Sequence, residues 1–143
     1  MKIGELAQVA QCTVETVRYY EKEGLLPAPT RTPGNFRVYG PKHAERLRFV
    51  RNCRALDMSH EEIHTLLRLA DQPAQGCGAI NDVFDLHIAH VEERLCELAQ
   101  LKQQLGALRK RCQTEQGVDA CGILQGLAAM ETEQKAQRHT HLG

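Results

Sequence analysis

The chain has 143 residues and six cysteines, and its formal net charge of zero hides a basic front and an acidic back. Residues 1–54 carry ten Lys and Arg against five Asp and Glu, a modest electrostatic footprint for nucleic acid, whereas the acidic remainder argues against diffuse binding along the whole molecule. So short a chain leaves little material for an enzyme cleft. It shows neither a secretory signal nor a run of about 20 apolar residues, so we expect a cytoplasmic protein with no membrane segment. In the cytoplasm its cysteines should stay reduced.

Two short helices are predicted at the start of the chain. Apolar residues recur at helical spacing over residues 3–10 and again over residues 14–20, and Thr13 is placed to cap the second helix. Gly24 and Pro27 then end this unit, since glycine supplies the terminal backbone geometry and proline cannot continue a helix.

The segment "PAPTRTPGNFRVYG" predicts a turn followed by a strand over residues 36–39, in a small hairpin or wing. Pro41 then opens a helix that runs to about Ala55. The apolar face of this helix is formed by Ala44, Leu47, Val50 and Ala55, with Phe49 near its edge.

The next helix begins within "SHEEIH", which matches H-E-x-x-H, the signature of zinc peptidases. That chemistry needs His60 and His64 to face a cleft and Glu61 to act as base on a zinc-bound water. The same letters also form a capping box, in which Ser59 caps the helix and Glu62 reaches back to it. No cleft-building sequence accompanies the motif, so we interpret it as a capped helix with two histidines on its polar face, and we expect no catalytic residues.

A long helix is predicted from Ala79 to Arg111, with apolar residues or cysteine spaced 4-3-4-3-3-4-3-4. This is a coiled-coil seam with one three-residue slip between Leu98 and Leu101. A helix roughly 50 Å long would leave most of such a seam exposed in a monomer, so we predict a dimer. The seam consists of Phe84, Ile88, Val91, Leu95, Leu98, Leu101, Leu105, Leu108 and Cys112.

Three cysteines stand at the ends of the long helix. Cys112 and Cys121 bracket a polar loop that can fold back and bring both thiolates to one ion, whereas Cys77 precedes the helix. If two such helices pair antiparallel, Cys77 of one chain lies beside the other two cysteines of its partner. Three thiolates select soft or borderline metals such as Cd(II), Pb(II), Hg(II) or Zn(II), and the spacing does not decide among them. The remaining cysteines are assigned to packing: Cys12, Cys53 and Cys96.

Four histidines form a second, weaker metal candidate. His87 and His90 stand three apart on one face of the long helix, and the tail "RHTHLG" adds His139 and His141. A solvated helix face and a disordered tail explain the same residues.

The first 40 residues resemble the winged helix-turn-helix of the MerR family of transcriptional regulators, with its run "RYYEKEGLL" and an arginine-bearing wing. The order of helices and the cysteine loop extend the resemblance over about residues 1–128. The segments "RNCRALDMS", "GCG" and "RCQTEQGVDACGILQGL" are most similar to the cadmium- and lead-responsive branch. The resemblance also implies the antiparallel dimer and the cross-subunit metal site, and the histidine pattern is similar to an additional site of some cadmium-responsive relatives.

Carried over by position, the resemblance implies that the recognition helix and the wing contact DNA. Arg18 and Tyr19 would make the contacts from the helix, and Tyr20 suits the core as well as a contact. The residues placed at the DNA interface are Thr13, Glu15, Thr16, Arg18, Tyr19, Arg37 and Tyr39. The mechanism implied by the family is activation by DNA distortion: metal binding reorients the two DNA-binding heads on an overlong promoter spacer, so that RNA polymerase engages both promoter elements.

The sequence thus predicts a mainly α fold. A winged helix-turn-helix DNA-binding domain with a helical extension spans residues 1–72, and a long antiparallel coiled-coil dimerisation helix spans residues 73–112. A metal-binding loop with a short helix covers residues 113–130, and a flexible histidine-containing tail covers residues 131–143. The expected function is a homodimeric, heavy-metal-responsive regulator of a metal-resistance gene. The alternative is a thiol-redox-sensing regulator, which would pair Cys112 with Cys121 as a disulfide and leave Cys77 dispensable.

Overall fold

The computed structural model describes residues 1–74 and 76–131 of a mainly helical chain, as the sequence predicts. None of the helices in these two ranges combines the length and the apolar character that crossing a membrane requires. The elements in chain order are α1 (Ile3–Val9), α2 (Val14–Lys22), β1 (Thr30–Arg31), β2 (Arg37–Val38), α3 (Pro41–Ala55), α4 (His60–Ala70), α5 (Gly78–Arg109), a 3-10 turn (Val118–Ala120) and α6 (Gly122–Ala129).

Contacts divide the chain into two compact units, Met1–Val83 and Phe84–Gly143. The first unit extends into α5 because Ile80 and Val83 pack against its core. The sequence placed the end of the DNA-binding domain earlier, at residue 72, where the apolar pattern of α4 stops.

A sharp turn joins α1 to α2. Gln11 adopts a left-handed φ of 55°, which reverses the chain direction after α1. Arg51 of α3 donates a hydrogen bond to the carbonyl of Ala10 and so satisfies a carbonyl left over at the end of α1. Thr13 then caps α2 as predicted, because its Oγ1 accepts the backbone N–H of Thr16 at 3.1 Å.

Helix α2 ends in a Schellman motif built on Gly24, whose φ is 76°. The N–H of Leu25 donates to the carbonyl of Tyr20 at 2.9 Å, and the N–H of Gly24 donates to the carbonyl of Glu21 at 3.2 Å. This closure turns Leu25 and Leu26 directly into the core.

Strands β1 and β2 form the predicted hairpin, which we call the wing (residues 30–38). The strands are antiparallel, with Arg31 opposite Arg37. The observed strand is shorter than the predicted one at residues 36–39, because Phe36 and Tyr39 donate their N–H groups outside the ladder. The N–H of Phe36 donates to Thr32 Oγ1 at 3.2 Å, and that of Tyr39 donates to the carbonyl of Met1 at 2.8 Å.

One hydrophobic core holds the first unit together. Helix α3 contributes Ala44, Leu47 and Val50 as predicted, but its fourth buried residue is Cys53 and not Ala55. One turn beyond Val50 reaches positions 53 and 54, so Ala55 points away from the core. Each large apolar side chain buried here contributes roughly 1.5–3 kcal/mol. The largest fully buried side chains are Tyr39, Leu6, Leu25, Leu47, Met58, Ile63, Val17 and Val50.

Helix α4 carries the H-E-x-x-H motif and turns its two histidines toward α2. The predicted capping box is present, with hydrogen bonds of 2.9 and 3.1 Å exchanged between Ser59 and Glu62. His60 packs its ring against two aromatic rings of α2. His64 Nε2 lies 3.1 Å from the carbonyl oxygen of Glu23, at the end of α2. The two histidines of the motif therefore pack against α2, in agreement with the interpretation of the motif as a packing element.

Helix α5 carries the apolar seam in the second unit. It is 32 residues long and spans Gly78–Arg109, close to the predicted Ala79–Arg111. Seven seam side chains between Phe84 and Leu105 are 38–61% exposed in the single chain. The seam is therefore an apolar surface of a kind that monomeric proteins rarely leave exposed.

Packing accounts for two of the three cysteines outside the candidate metal set. Cys53 is buried, and Cys12 packs against the core of the first unit, as predicted. The prediction is wrong for Cys96, which is exposed on α5. It follows the seam residue Leu95 directly and so lies beside the apolar face.

Candidate nucleic-acid interface and metal centre

Helix α2 presents a polar face. Glu15, Arg18 and Tyr19 are exposed along it, and Thr13 and Thr16 stand at its start with their Oγ1 atoms 2.8 Å apart. The predicted residues of the recognition helix are thus on one short, well-capped helix. Arginine and tyrosine side chains on such a helix can bind phosphates while the helix enters a major groove.

Tyr19 is held in place by neighbouring rings. It is 47% exposed, and its ring centroid lies 5.6 Å from that of Tyr20 and 5.6 Å from that of His60. Tilted ring pairs at this distance are favourable. Tyr20 is buried and belongs to the core.

Arg37 of the wing and Tyr39, which directly follows the wing, were both predicted to contact DNA, and they differ in exposure. The side chain of Arg37 is 43% exposed, and its Nη1 lies 3.4 Å from Glu21 Oε2. Tyr39 is 1% exposed, and its hydroxyl donates to the same Glu21 oxygen at 3.3 Å. Burial, reinforced by the Glu21 carboxylate, raises the pKa of Tyr39. Arg37 is therefore available to a ligand, whereas Tyr39 is buried and supports Glu21 through its hydroxyl.

An open cavity of about 480 Å³ lies between α1, α2 and the wing. Arg18, Lys22 and Arg37 line it together with Glu21 and Ile3. Sequence reasoning missed Lys22 and Glu21. Lys22 could have been found, because it follows Arg18 by four residues and therefore shares its helix face. Three cations around one cavity make a surface suited to anions, and to phosphate in particular.

The loop after α5 brings the thiol of Cys112 within hydrogen-bonding reach of Cys121. Their ligation of one metal ion stays a prediction. Arg109 Nη1 donates to the carbonyl of Cys112 at 2.7 Å and holds the turn at the helix end. Cys121 is the N-cap of α6. The backbone N–H groups of Leu124 and Ile123, together with the thiol of Cys112, lower the pKa of Cys121 against the opposing effect of desolvation. A lowered pKa favours the thiolate, which is the form that binds metals.

Two glycines place α6 against the end of α5. A Cβ added at Gly122 would collide with the backbone carbonyl oxygen of Arg111. A Cβ at Gly126 would come within 2.5 Å of Arg111 Nη1 and 3.0 Å of Leu108 Cδ2. The close approach that these glycines permit positions Cys121 beside the end of α5.

The other candidate ligands lie elsewhere along the chain. Cys77 is exposed directly before α5, at the opposite end of that helix from Cys112. His87 and His90 stand about one turn apart on α5. His139 and His141 fall outside the described residues, so the second metal site stays a prediction.

We expect Cys121 to be alkylated faster than Cys53 and Cys12 in the metal-free protein near neutral pH. The thiolate is the reactive species, and the pKa of Cys121 is lowered. Burial raises the pKa of Cys53 and, against the effect of Arg51, that of Cys12. A time course with iodoacetamide, read by peptide mass spectrometry, measures the three rates. Equal rates in the folded protein would contradict the prediction, and denatured protein supplies the control in which they converge.

The sharp turn between α1 and α2, followed by a two-stranded wing, places the first unit in the class of winged helix-turn-helix proteins. A family model described as MerR HTH family regulatory protein matches residues 1–70, and one described as MerR, DNA binding, matches residues 44–108. The chain belongs to the MerR family, which confirms the resemblance found in the sequence.

The relatives include metal regulators. The chain is 51% identical over 111 residues to the HTH-type transcriptional regulator ZntR homolog of Haemophilus influenzae, covering 78% of this chain and 82% of that protein. It is 32% identical over 126 residues to the mercuric resistance operon regulatory protein of Bacillus cereus, covering 88% and 96%. The crystal structure of the transcription regulator PbrR691 from Ralstonia metallidurans in complex with lead(II) matches with a TM-score of 0.83 and 50% identity, covering 89% of this chain and 98% of that one.

Proposed function

We propose that this chain is a heavy-metal-responsive transcriptional regulator that binds promoter DNA as a homodimer. The observation that carries the proposal is the pairing of Cys112 with Cys121 at the end of α5, in a chain that also holds a winged helix-turn-helix. Relatives whose names refer to mercuric resistance and to a lead(II) complex support it. A cytoplasmic setting, where thiols stay reduced, agrees with six free cysteines.

The exposed seam of α5 supports the dimer. Its side chains from Phe84 to Leu105 form an apolar surface with the spacing of a coiled coil. Pairing with a second copy of α5 buries this surface. An antiparallel arrangement places the start of each α5 beside the end of the other.

The antiparallel dimer completes the metal site. A helix of 32 residues is about 48 Å long, so Cys77 and Cys112 of one chain cannot share an ion across it. Cys77 of one chain and Cys112 and Cys121 of its partner together supply three thiolates. We propose two such sites in each dimer.

The thiolate ligands determine which metal ions can act as the effector. Three sulfurs favour soft or borderline ions, with Cd(II) or Pb(II) proposed first and Zn(II) and Hg(II) next. Mg(II) and Ca(II) require oxygen ligands and are disfavoured. The N–H groups that lower the pKa of Cys121 prepare one ligand for binding near neutral pH.

DNA binding is assigned to the first unit. We propose that α2 enters the major groove with Arg18 and Tyr19 on backbone phosphates, and that Arg37 contacts DNA from the wing. Because Tyr39 is buried, we propose a supporting role for it in place of the contact first predicted. The polar residues at the start of the helix complete the interface: Thr13, Glu15 and Thr16.

Activation is proposed to proceed by DNA distortion. The dimer occupies the promoter with and without metal, and metal binding reorients its two heads so that the DNA bends and RNA polymerase engages both promoter elements. Bending a site of this length costs on the order of 1–6 kcal/mol. Thiolate and imidazole zinc sites release roughly 10 kcal/mol, of which only the affinity difference between the two conformers drives switching.

A redox sensor is the second candidate, since the adjacent thiols of Cys112 and Cys121 could also form a disulfide. That regulator would respond to peroxide, and Cys77 would be dispensable. The dependence of the response on Cys77 therefore separates the two functions.

We expect Cys77→Ser to bind promoter DNA like the wild type while losing activation by metal. The variant keeps the first unit's DNA-binding face but removes one of three ligands. Fluorescence anisotropy with a promoter duplex measures binding. In vitro transcription from the protein's own upstream promoter, titrated with Cd(II), Pb(II), Zn(II) and Hg(II), measures activation.

Three outcomes have distinct meanings. Activation of the wild type alone supports the three-thiolate site and ranks the metals. An unchanged response of Cys77→Ser overturns that site in favour of a two-cysteine or redox mechanism. Absence of promoter binding by the wild type overturns the regulator itself.

A further inference from the structure

Glu21 is an acidic residue in an otherwise cationic cavity. It lines the cavity together with Arg18, Lys22 and Arg37, and its side chain is only 15% exposed. A carboxylate at this position repels a DNA phosphate and lowers the cavity's charge from +3 to +2. On charge alone, Glu21 opposes DNA binding, so its place in the interface requires another explanation.

The contacts of Glu21 supply that explanation. Its Oε2 lies 3.4 Å from Arg37 Nη1 and accepts the hydroxyl of Tyr39 at 3.3 Å. Glu21 belongs to α2, whereas Arg37 and Tyr39 belong to β2 and the residue that follows it. One carboxylate oxygen thus joins the recognition helix to the wing.

The wing is too short to hold Arg37 in place without a contact to the rest of the first unit. Each of its strands is two residues long, and a short isolated hairpin is marginally stable in water. Without an anchor, the long Arg37 side chain loses its rotamer freedom only when DNA binds, at a cost to affinity. The buried Tyr39 fixes the Glu21 carboxylate by donating its hydroxyl to the same Oε2.

We infer that Glu21 is a positioning residue for DNA binding: it holds the Arg37 guanidinium so that Arg18, Lys22 and Arg37 converge on one backbone phosphate of the duplex. The guanidinium has five N–H donors, so those not directed at Glu21 are available to the phosphate oxygens. The inference rests on the proposed function, because it takes the first unit to be a DNA-binding unit.

Charge and positioning predict opposite results for Glu21→Ala. If the carboxylate only repels phosphate, its removal strengthens binding to any duplex. If it positions Arg37, removal weakens binding to the promoter by about 3- to 10-fold, the value of one typical hydrogen bond. Glu21→Gln keeps one acceptor without the charge, so we expect its affinity to fall between those of Glu21→Ala and the wild type.

The experiment measures the dissociation constants of a duplex from the chain's own upstream promoter and of an unrelated duplex of equal length, over a range of salt concentrations. Glu23→Ala is the matched control, because it removes an exposed carboxylate from the end of the same helix. Arg37→Ala and the double variant Glu21→Ala/Arg37→Ala complete a cycle. Circular dichroism melting identifies a temperature at which every variant is folded.

Positioning predicts four results. Promoter affinity falls in Glu21→Ala but not in Glu23→Ala, and the salt slope falls by about 1 in Glu21→Ala, as it does in Arg37→Ala. In the Arg37→Ala background, loss of Glu21 causes little further change. A merely structural role would lower the active fraction equally for both duplexes without changing the slope.

The inference is overturned if Glu21→Ala binds the promoter as tightly as Glu23→Ala, or if its effect adds in full to that of Arg37→Ala. Both outcomes leave the proposed function intact, because wild-type binding is measured in the same series. Absence of wild-type promoter binding overturns the proposed function and this inference together.

Discussion

Mixing two inactive variants is expected to restore one tight metal site in each mixed dimer. One chain carries Cys77→Ser and the other carries both Cys112→Ser and Cys121→Ser. In the proposed antiparallel dimer, the intact Cys77 of the second chain faces the intact pair of the first, which recreates three thiolates at one end. The opposite end has no sulfur ligand left.

The expected effect is large because each parent homodimer lacks a complete site. Changes to groups that merely support ligands typically cost about 10- to 100-fold in metal affinity, so loss of a ligand should cost at least about 100-fold. Co-expression of the two chains with different affinity tags yields the mixed dimer. Cd(II) titration, followed by thiolate-to-metal charge-transfer absorbance, should give two sites per wild-type dimer and one per mixed dimer, and none at stoichiometric metal in either parent.

Comparing metal binding by the mixed dimer and by its parents shows whether the ligands come from one chain or from two. If all three ligands came from one chain, the mixed dimer would bind no better than its parents, and the cross-subunit site would be wrong. If the Cys77→Ser parent bound two ions tightly, two thiolates would suffice and Cys77 would not be a ligand. Promoter binding by every dimer serves as the control for folding.

Local features of the fold were predictable because each depends on residues a few positions apart. Thr13 caps α2 through a group three residues away, and Ser59 pairs with Glu62 at the same spacing. The H-E-x-x-H motif shows the limit of a short pattern. Its spacing also suits a capped helix, and the structure directs His60 and His64 to α2.

Features that depend on packing between distant segments were missed. The role of Glu21 requires the wing to fold back on α2, a contact across 16 residues that no spacing encodes. Burial of Tyr39 has the same origin, because strand alternation shows two faces without showing which one meets the core. The prediction for Cys96 failed because α5 buries only His87 in the single chain, so a position on this helix does not indicate burial.

The loop between Cys112 and Cys121 has one feature that the sequence predicts and one that depends on packing between distant segments. The pairing of Cys112 with Cys121 was predictable from eight intervening residues and a glycine. The packing of α6 against the end of α5 was not predicted, although Gly122 and Gly126 are four residues apart and therefore share one helix face. Their importance depends on Arg111 lying directly against that face.

Gly122→Ala is expected to weaken metal binding by about 10- to 100-fold while leaving promoter binding unchanged. The added Cβ meets the backbone carbonyl of Arg111, which cannot move aside as a flexible side chain does. Relieving such a clash typically costs about 1–3 kcal/mol, and a shift of α6 would carry its N-cap Cys121 away from Cys112.

A graded series of alanine substitutions tests the packing argument. Gly126→Ala should cause a smaller loss, because its nearest contact is the movable end of Arg111. Gly106→Ala is the control: in the single chain, an added Cβ meets no atom within 4 Å beyond its own turns of the helix, and alanine should stabilise the helix by roughly 0.5–1 kcal/mol. Chelator competition with Cd(II) ranks the three affinities. If Gly122→Ala binds metal as tightly as Gly106→Ala, contact between α6 and Arg111 does not set the position of Cys121, and the two thiols must be held together by the loop alone.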